Sequence, residues 1–258
     1  MVIIKTSKEI EILREGGKRL ATILYKVKDK IKPGISTKEL DDYAFKLITE
    51  YGDTPAFLNY KPEGADAPFP ASLCVSVNDE VVHGIPKVDK ILKEGDVVSI
   101  DLGLKHNGLF TDMAITVPVG DVNPRTLKLL DITRKALQVG IDSACGGNTV
   151  GDIGYAIESF VRAQKPIKYG IVEVLSGHGV GRAIHEDPYV PNFGKKGTGE
   201  KLVPGMVIAL EPMLNNGTKH VTLDDDGYTI RTADGKKSAH FEHTILITDG
   251  EPEILTKI

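Results

Sequence analysis

The chain has 258 residues, 41% of them apolar and 26% charged, with a net charge of −4. Those proportions are enough for one substantial core, and they lack the basic footprint of a nucleic-acid-binding surface. No run of eighteen apolar residues is available to span a bilayer, Met1-Val2-Ile3-Ile4 is too short for a signal peptide, and two cysteines, Cys74 and Cys145, fit a reducing cytoplasmic setting better than a disulfide framework.

Thr6-Ser7-Lys8-Glu9 has the form of a capping box. Ile10, Leu13, Gly17, Leu20, Leu24, Val27 and Ile31 then recur at helical spacing, which predicts one long helix ended by Pro33-Gly34. Ser36-Thr37-Lys38-Glu39 opens a second helix that closes near Tyr51-Gly52. Residues 53–73 are rich in Pro and aromatics and read as a loop, either with packed surface aromatics or as the wall of an apolar pocket. Cys74 to Ser76 is a short predicted strand, followed by Asn78-Asp79-Glu80-Val81-Val82-His83-Gly84. A lone His beside Gly is more often a turn residue than a catalyst.

Val97 to Leu104 and Leu109 to Val117 predict a hairpin around Lys105-His106-Asn107-Gly108. A His106-Asn107 turn sets Asp101 opposite Asp112; an Asn107-Gly108 turn sets Asp101 opposite Ala114, with Asp112 diagonal to it. Either register puts both acids on one face, because side chains alternate along a strand. Two like charges there destabilise the sheet unless a cation or proton lies between them.

Asn123-Pro124 starts a third predicted helix, to about Cys145, and a fourth covers about Val150 to Gln164. Ser176-Gly177-His178-Gly179-Val180-Gly181 lets the backbone approach a ligand closely, or makes a flexible turn. It lacks the strand–turn–helix context of a phosphate loop. Residues 189–201 read as a loop, Thr222 to Thr232 as a hairpin, and strands carry Glu211 and Glu242.

The chain also repeats itself. Gly95-Asp96-Val97-Val98-Ser99-Ile100-Asp101 matches Gly205-Met206-Val207-Ile208-Ala209-Leu210-Glu211. Asp112-Met113-Ala114-Ile115 resembles Glu242-His243-Thr244-Ile245, and the glycine and cap at Gly34 to Glu39 match those at Gly147 to Asp152. The order of the matches predicts a single domain, 1–258, built from two pseudo-symmetric halves of about 1–121 and 122–258. Each half is a helix pair followed by acid-bearing strands, an α+β class. Asp101, Asp112, Glu211 and Glu242, joined by His178, would repel strongly in one dry pocket. Two divalent cations neutralise four carboxylates. This oxygen-rich set with one imidazole suits Mn, Fe, Co or Zn better than a closed structural zinc site does. Paired metals are a known hydrolytic device that makes water reactive, with His83 and His185 as candidates to hydrogen-bond the substrate amide and oxyanion.

Asn78 to Pro86, Gly177 to Gly181, His185-Glu186-Asp187-Pro188, Leu210-Glu211-Pro212-Met213 and Phe241-Glu242-His243-Thr244 together resemble the type I methionine aminopeptidases over almost the whole chain. The resemblance implies the pita-bread fold, with two pseudo-symmetric halves of antiparallel sheet and outer helices. It also implies removal of the initiator methionine from nascent polypeptides when the second residue is small. On the matching motifs it gives Asp101, Asp112, His178, Glu211 and Glu242 as ligands to two metal ions, with Asp112 and Glu242 bridging and Glu211 as proton shuttle. His83 and His185 would contact the substrate, and Phe57, Tyr60, Phe69, Cys74, Ile184 and Tyr228 would line its methionine pocket. The expected protein is a cytoplasmic monomer that acts on nascent-chain N-termini, with the ribosome as a further partner. Two departures stand out: Lys61 to Pro68 is longer than usual for bacterial members, and Gly103 stands where many relatives carry Thr. A proline-directed peptidase on the same fold is disfavoured, since only six residues precede the first helix. A type II enzyme would need a helical insertion between His178 and Glu211. A non-catalytic pita-bread binding protein would typically have lost ligands that are all present here.

Overall fold

The computed structural model describes residues 2–258. Helix α1, Ser7–Lys28, starts at the Thr6–Glu9 capping box and buries Leu13, Leu20, Ile23, Leu24 and Val27. Helix α2, Thr37–Glu50, begins at a second box, Ser36–Glu39. Helices α3, Pro124–Asp142, and α4, Val150–Arg162, lead the second part of the chain, with α4 capped by a third box, Thr149–Asp152. In each capping box the side chains satisfy N–H groups that the helix itself leaves open. α1 ends three residues before the predicted Ile31, because the chain turns at Asp29 and Lys30.

The repeated sequence adopts repeated conformation. Gly34 and Gly147 turn at φ of 92° and 94°, Gly95 and Gly205 at 87° and 91°. These left-handed values favour glycine. The helix caps then pair with equivalent segments, Ser36 with Ile91 and Thr149 with Lys201. Residue 121 falls in the connection between the strand end at Pro118 and the Asn123 cap of α3.

Strands Val97–His106 and Leu109–Pro118 form a long antiparallel hairpin, flanked by Leu73–Val77 and Thr54–Pro55. The turn is Asn107-Gly108, with φ of 46° and 88°. The register is therefore the second of the two anticipated: Asp101 faces Ala114, and Asp112 faces Gly103. The other large sheet has five strands, and in it Val207–Leu210 lies between Ser176–Gly179 and His243–Leu246. Residues 186–191, predicted in part as loop, form a strand against Ser176–Gly179. Alternation there buries Pro188 and Val190 while Tyr189 points out, a pattern too short and too broken by proline to read as a strand in advance.

The two large sheets meet along a polar seam. The Asp112 N–H donates to Thr244 Oγ1 at 2.9 Å, and the Thr244 hydroxyl donates to the Asp112 carbonyl at 2.8 Å. The Thr116 hydroxyl donates to the His240 carbonyl at 2.7 Å, and the Glu242 N–H to the Ala114 carbonyl at 2.8 Å. Buried backbone groups that would otherwise lose their partners are satisfied in this way. The seam also sets the acid-bearing stretches of the repeat side by side, while the helices cover the outer faces with one continuous apolar core.

Candidate active site

A cavity of about 300 Å³ opens at the seam, with Asp101, Asp112, His178, Glu211 and Glu242 at its floor and Phe57, Tyr60, Phe69, Cys74 and Tyr228 among its walls. Carboxylate or imidazole atoms of Asp112, His178 and Glu242 lie within 4.8 Å of one another. Asp101 reaches the same floor from the neighbouring strand position, and Glu211 Oε1 stands 3.6 Å from His178 Nε2. The five residues come from both sheets, so the site exists only when the seam is closed.

Burial makes this arrangement costly for the protein by itself. It raises Asp101 to about 7 and pushes Asp112 and Glu242 well above the usual carboxylate range, with mutual repulsion adding to the shift of the last two. Burial also works against the Glu211 charge, but the His240, His178 and His83 imidazoles outweigh it and hold its pKa below normal. Asp101 Oδ1 and Glu242 Oε1 are buried with no hydrogen-bond partner. The His178 Nδ1–H donates to the Gly179 carbonyl at 2.9 Å, which turns Nε2 toward the carboxylates. Orphaned carboxylate oxygens and an imidazole held in a fixed orientation are the donor set a divalent cation needs.

A stability prediction follows from Asp101. Its folded pKa is above its unfolded value, so its contribution is fully present below about pH 4 and is lost as pH rises towards 7. Thermal melts of the metal-free protein should therefore show stability falling across that window. The stabilisation by added Mn(II) should grow over the same window, and a gain independent of pH would contradict this.

His83 and His185 stand at the edge of the cavity. His83 has a φ of 58°, and Gly84 follows where a Cβ would sit 2.4 Å from the Val75 carbonyl oxygen. The chain can make this close approach only with glycine, and it aims His83 into the site. His185 Nδ1 shares a 2.9 Å hydrogen bond with the Tyr60 hydroxyl, and its ring packs edge-on against His178 at 4.5 Å. Desolvation by the cavity rim, with His178 beside it, lowers the His185 pKa to about 4, so its imidazole is neutral at pH 7; desolvation lowers the His83 pKa as well.

The chamber above the floor is mainly apolar. Phe69 meets Tyr228 edge-on at 5.2 Å. The segment 61–68 is closed at its base by hydrogen bonds between Phe69 and residues 59 and 60, and Tyr228 Oη donates to the Ala67 carbonyl. Pro62 and Ala65 from that segment line the chamber. Ile184, expected on the wall, does not line it: its side chain is 3% exposed and packs behind, in the cluster with Phe57, Phe69 and Cys74. The imidazole of the next residue, His185, takes the cavity side. At Gly103 a Cβ would stand 2.7 Å from Phe57 Cε1, so this chain uses the space of a threonine side chain for the Phe57 ring.

Sequence reasoning missed His240. It is 1% exposed, with Nε2 3.4 Å from Glu211 Oε2 and 4.0 Å from Glu242 Oε2. Its place two residues before Glu242 was the available signal, since alternate residues of an extended segment share a face.

The profile of metallopeptidase family M24 matches residues 11–249. The methionine aminopeptidase of Aquifex aeolicus is 47% identical, with 98% of each chain covered, and methionine aminopeptidase 1 of Bacillus subtilis is 44% identical over both complete chains. The chain belongs to metallopeptidase family M24. Within the family it groups with the methionine aminopeptidases: the crystal structure of the Thermotoga maritima enzyme superposes with a TM-score of 0.94 at 40% identity, covering both chains completely. The fold is the pita-bread arrangement of that family, and its M24 chemistry is that of a metal-dependent peptide hydrolase.

Proposed function

We propose that this M24 chain removes the N-terminal methionine from nascent polypeptides whose second residue is small, in the cytoplasm, using two divalent ions held by Asp101, Asp112, His178, Glu211 and Glu242. One observation carries the reading: in a cavity of about 300 Å³ an apolar wall adjoins the acid floor, and a second cavity of about 590 Å³ shares its rim. Tyr60, Pro62, His83, His178, His185 and Glu211 are common to both cavities. A peptide with its first side chain in the chamber has its first peptide bond at that shared boundary, and the rest of its chain leaves through the second cavity. Phe57, Tyr60, Phe69, Cys74 and Tyr228 offer an apolar and polarisable surface that suits a thioether.

When bound, divalent ions supply Lewis-acid activation of water and of the substrate carbonyl. The protein does the rest. Asp101, Asp112, His178, Glu211 and Glu242 would hold the ions, with Asp112, His178 and Glu242 the most closely grouped of the five. Glu211, ionised at neutral pH and partly open to the cavity, takes a proton from the attacking water and passes it to the leaving amine. Neutral His185 hydrogen-bonds the scissile amide or its oxyanion, and His83 contacts the substrate beside it. Tyr60 and His178 hold the His185 ring where this contact is made.

The test is methionine release from Met-Ala-Ser by Mn(II)- or Co(II)-loaded protein, with Leu-Ala-Ser and Ala-Pro-Ser as controls. The reading expects release of methionine alone, inhibition by EDTA, and a loss of about 10²–10³-fold in kcat for His185→Ala. Faster cleavage of Ala-Pro-Ser would assign the site to proline-directed hydrolysis. Near wild-type rates in His185→Ala would remove that residue from the mechanism.

A further inference from the structure

The segment ahead of α1 holds a lysine that the chemistry above leaves without a task. Lys5 Nζ meets Glu186 Oε2 at 2.5 Å, and the two side chains are 1% and 4% exposed. A pair buried this deeply adds little net stability over apolar residues of the same volume, whereas removing one partner strands the other charge. Its use is better sought in what it holds in place.

Glu186 adjoins His185 in sequence. Its Oε1 accepts the N–H groups of Arg182 and Ala183 at 2.5 and 2.9 Å, so the carboxylate closes the 182–186 turn on itself. Its other oxygen is the one bound to Lys5. The Lys5 backbone is anchored elsewhere: its N–H donates to the Gly205 carbonyl at 2.9 Å, just ahead of the strand that leads to Glu211. Lys5 thus ties the turn carrying His185 to the strand carrying Glu211. Space for it is made at Gly181, where a Cβ would lie 2.4 Å from Lys5 Cε. On the outer side Arg182 grips Glu9 with two hydrogen bonds, Nε to Oε1 at 2.7 Å and Nη2 to Oε2 at 3.2 Å. Of the ion pairs that hold this turn among the described residues, Lys5–Glu186 is the one buried from solvent.

We infer that Lys5 is a positioning residue for His185: its ion pair with Glu186 sets the 182–186 turn so that the His185 ring stays against Tyr60 and His178. The inference rests on the proposed role of His185. A misplacement of about 1 Å in such a group costs on the order of 10²-fold in rate, so a side chain outside both cavities can control turnover.

In the metal-loaded full chain, Lys5→Met is expected to lower kcat on Met-Ala-Ser by about 10- to 100-fold, with KM nearly unchanged. In a His185→Ala background the same substitution should cost almost nothing further. Adding Glu186→Gln to Lys5→Met should not recover kcat, because the tie between the turn and the strand is still absent; full recovery would overturn the inference by showing that a stranded Glu186 charge, and not the lost tie, disturbs the turn. A second readout needs no turnover. The imidazole ¹⁵N signals of His185, assigned with His185→Ala, should report one tautomer in the wild type and averaged tautomers in Lys5→Met. If Lys5→Met does not fold, Glu186→Gln alone, which leaves the lysine charge unpaired, carries the same NMR test. Unchanged His185 signals, or an equal loss of kcat with and without His185, would overturn the inference. Failure of the wild type to release methionine would count against the proposed substrate, and the NMR comparison would still decide on Lys5.

Discussion

Glu211→Gln is expected to lower kcat by about 10²–10⁴-fold, the range for loss of a general acid–base group, with KM within a few-fold of wild type. Glu211 is the one floor carboxylate whose pKa is lowered rather than raised, so it is ionised and able to accept a proton at neutral pH. Glutamine keeps the shape and the oxygen that faces His178, but it has no basic lone pair of comparable strength. Folding should be retained, since the backbone of Leu210 and Glu211 is held by strand pairing and by Asn192, whose side chain donates to the Glu211 carbonyl. Steady-state kinetics, with the metal content of each sample measured, checks the claim. A loss below fivefold at equal metal content would mean that the proton leaves by another route.

Asp112→Asn should have opposite effects on the two forms of the protein. Without metal it should raise the melting temperature, by about 2–4 °C for each kcal/mol gained. It removes a 3%-exposed acid whose charge is opposed first by burial and then by Asp101 and Glu211. With Mn(II) or Co(II) it should lose most of the metal-induced stabilisation and most activity, because a central anionic ligand has gone. Melting curves at pH 8 with and without the ion test both signs. A variant less stable than wild type in the metal-free state would show that Asp112 is held mainly by its contacts rather than against repulsion.

Much of this was legible in the sequence, for identifiable reasons. The three capping boxes and the glycine turns are local signals, and each appears where the residue types place it. The acids of the hairpin share a face under either turn, so their convergence survived an ambiguity of register that only the Asn107-Gly108 conformation resolves. What could not be read depends on contacts between distant segments. His240 matters because the seam brings it to Glu211. Lys5 matters because Gly181 leaves room for it beside Glu186. Ile184 and His185 are neighbours, and only the path of the turn decides which of them faces the cavity. The aromatic residues of 53–73 gave the chamber walls, but the contribution of Pro62 and Ala65 arises from a segment folded back onto Tyr228.

The claim on which the rest depends is that the buried carboxylates and His178 form a cation site. Isothermal titration of dialysed protein with Mn(II), in two buffers of different ionisation enthalpy, tests it most directly. The account predicts saturation at two ions per chain, with protons released at pH 7 as Asp101, whose pKa is raised to about 7, gives its proton up, and loss of at least one ion in Asp112→Asn. Binding with no proton release, or binding that Asp112→Asn leaves intact, would contradict it.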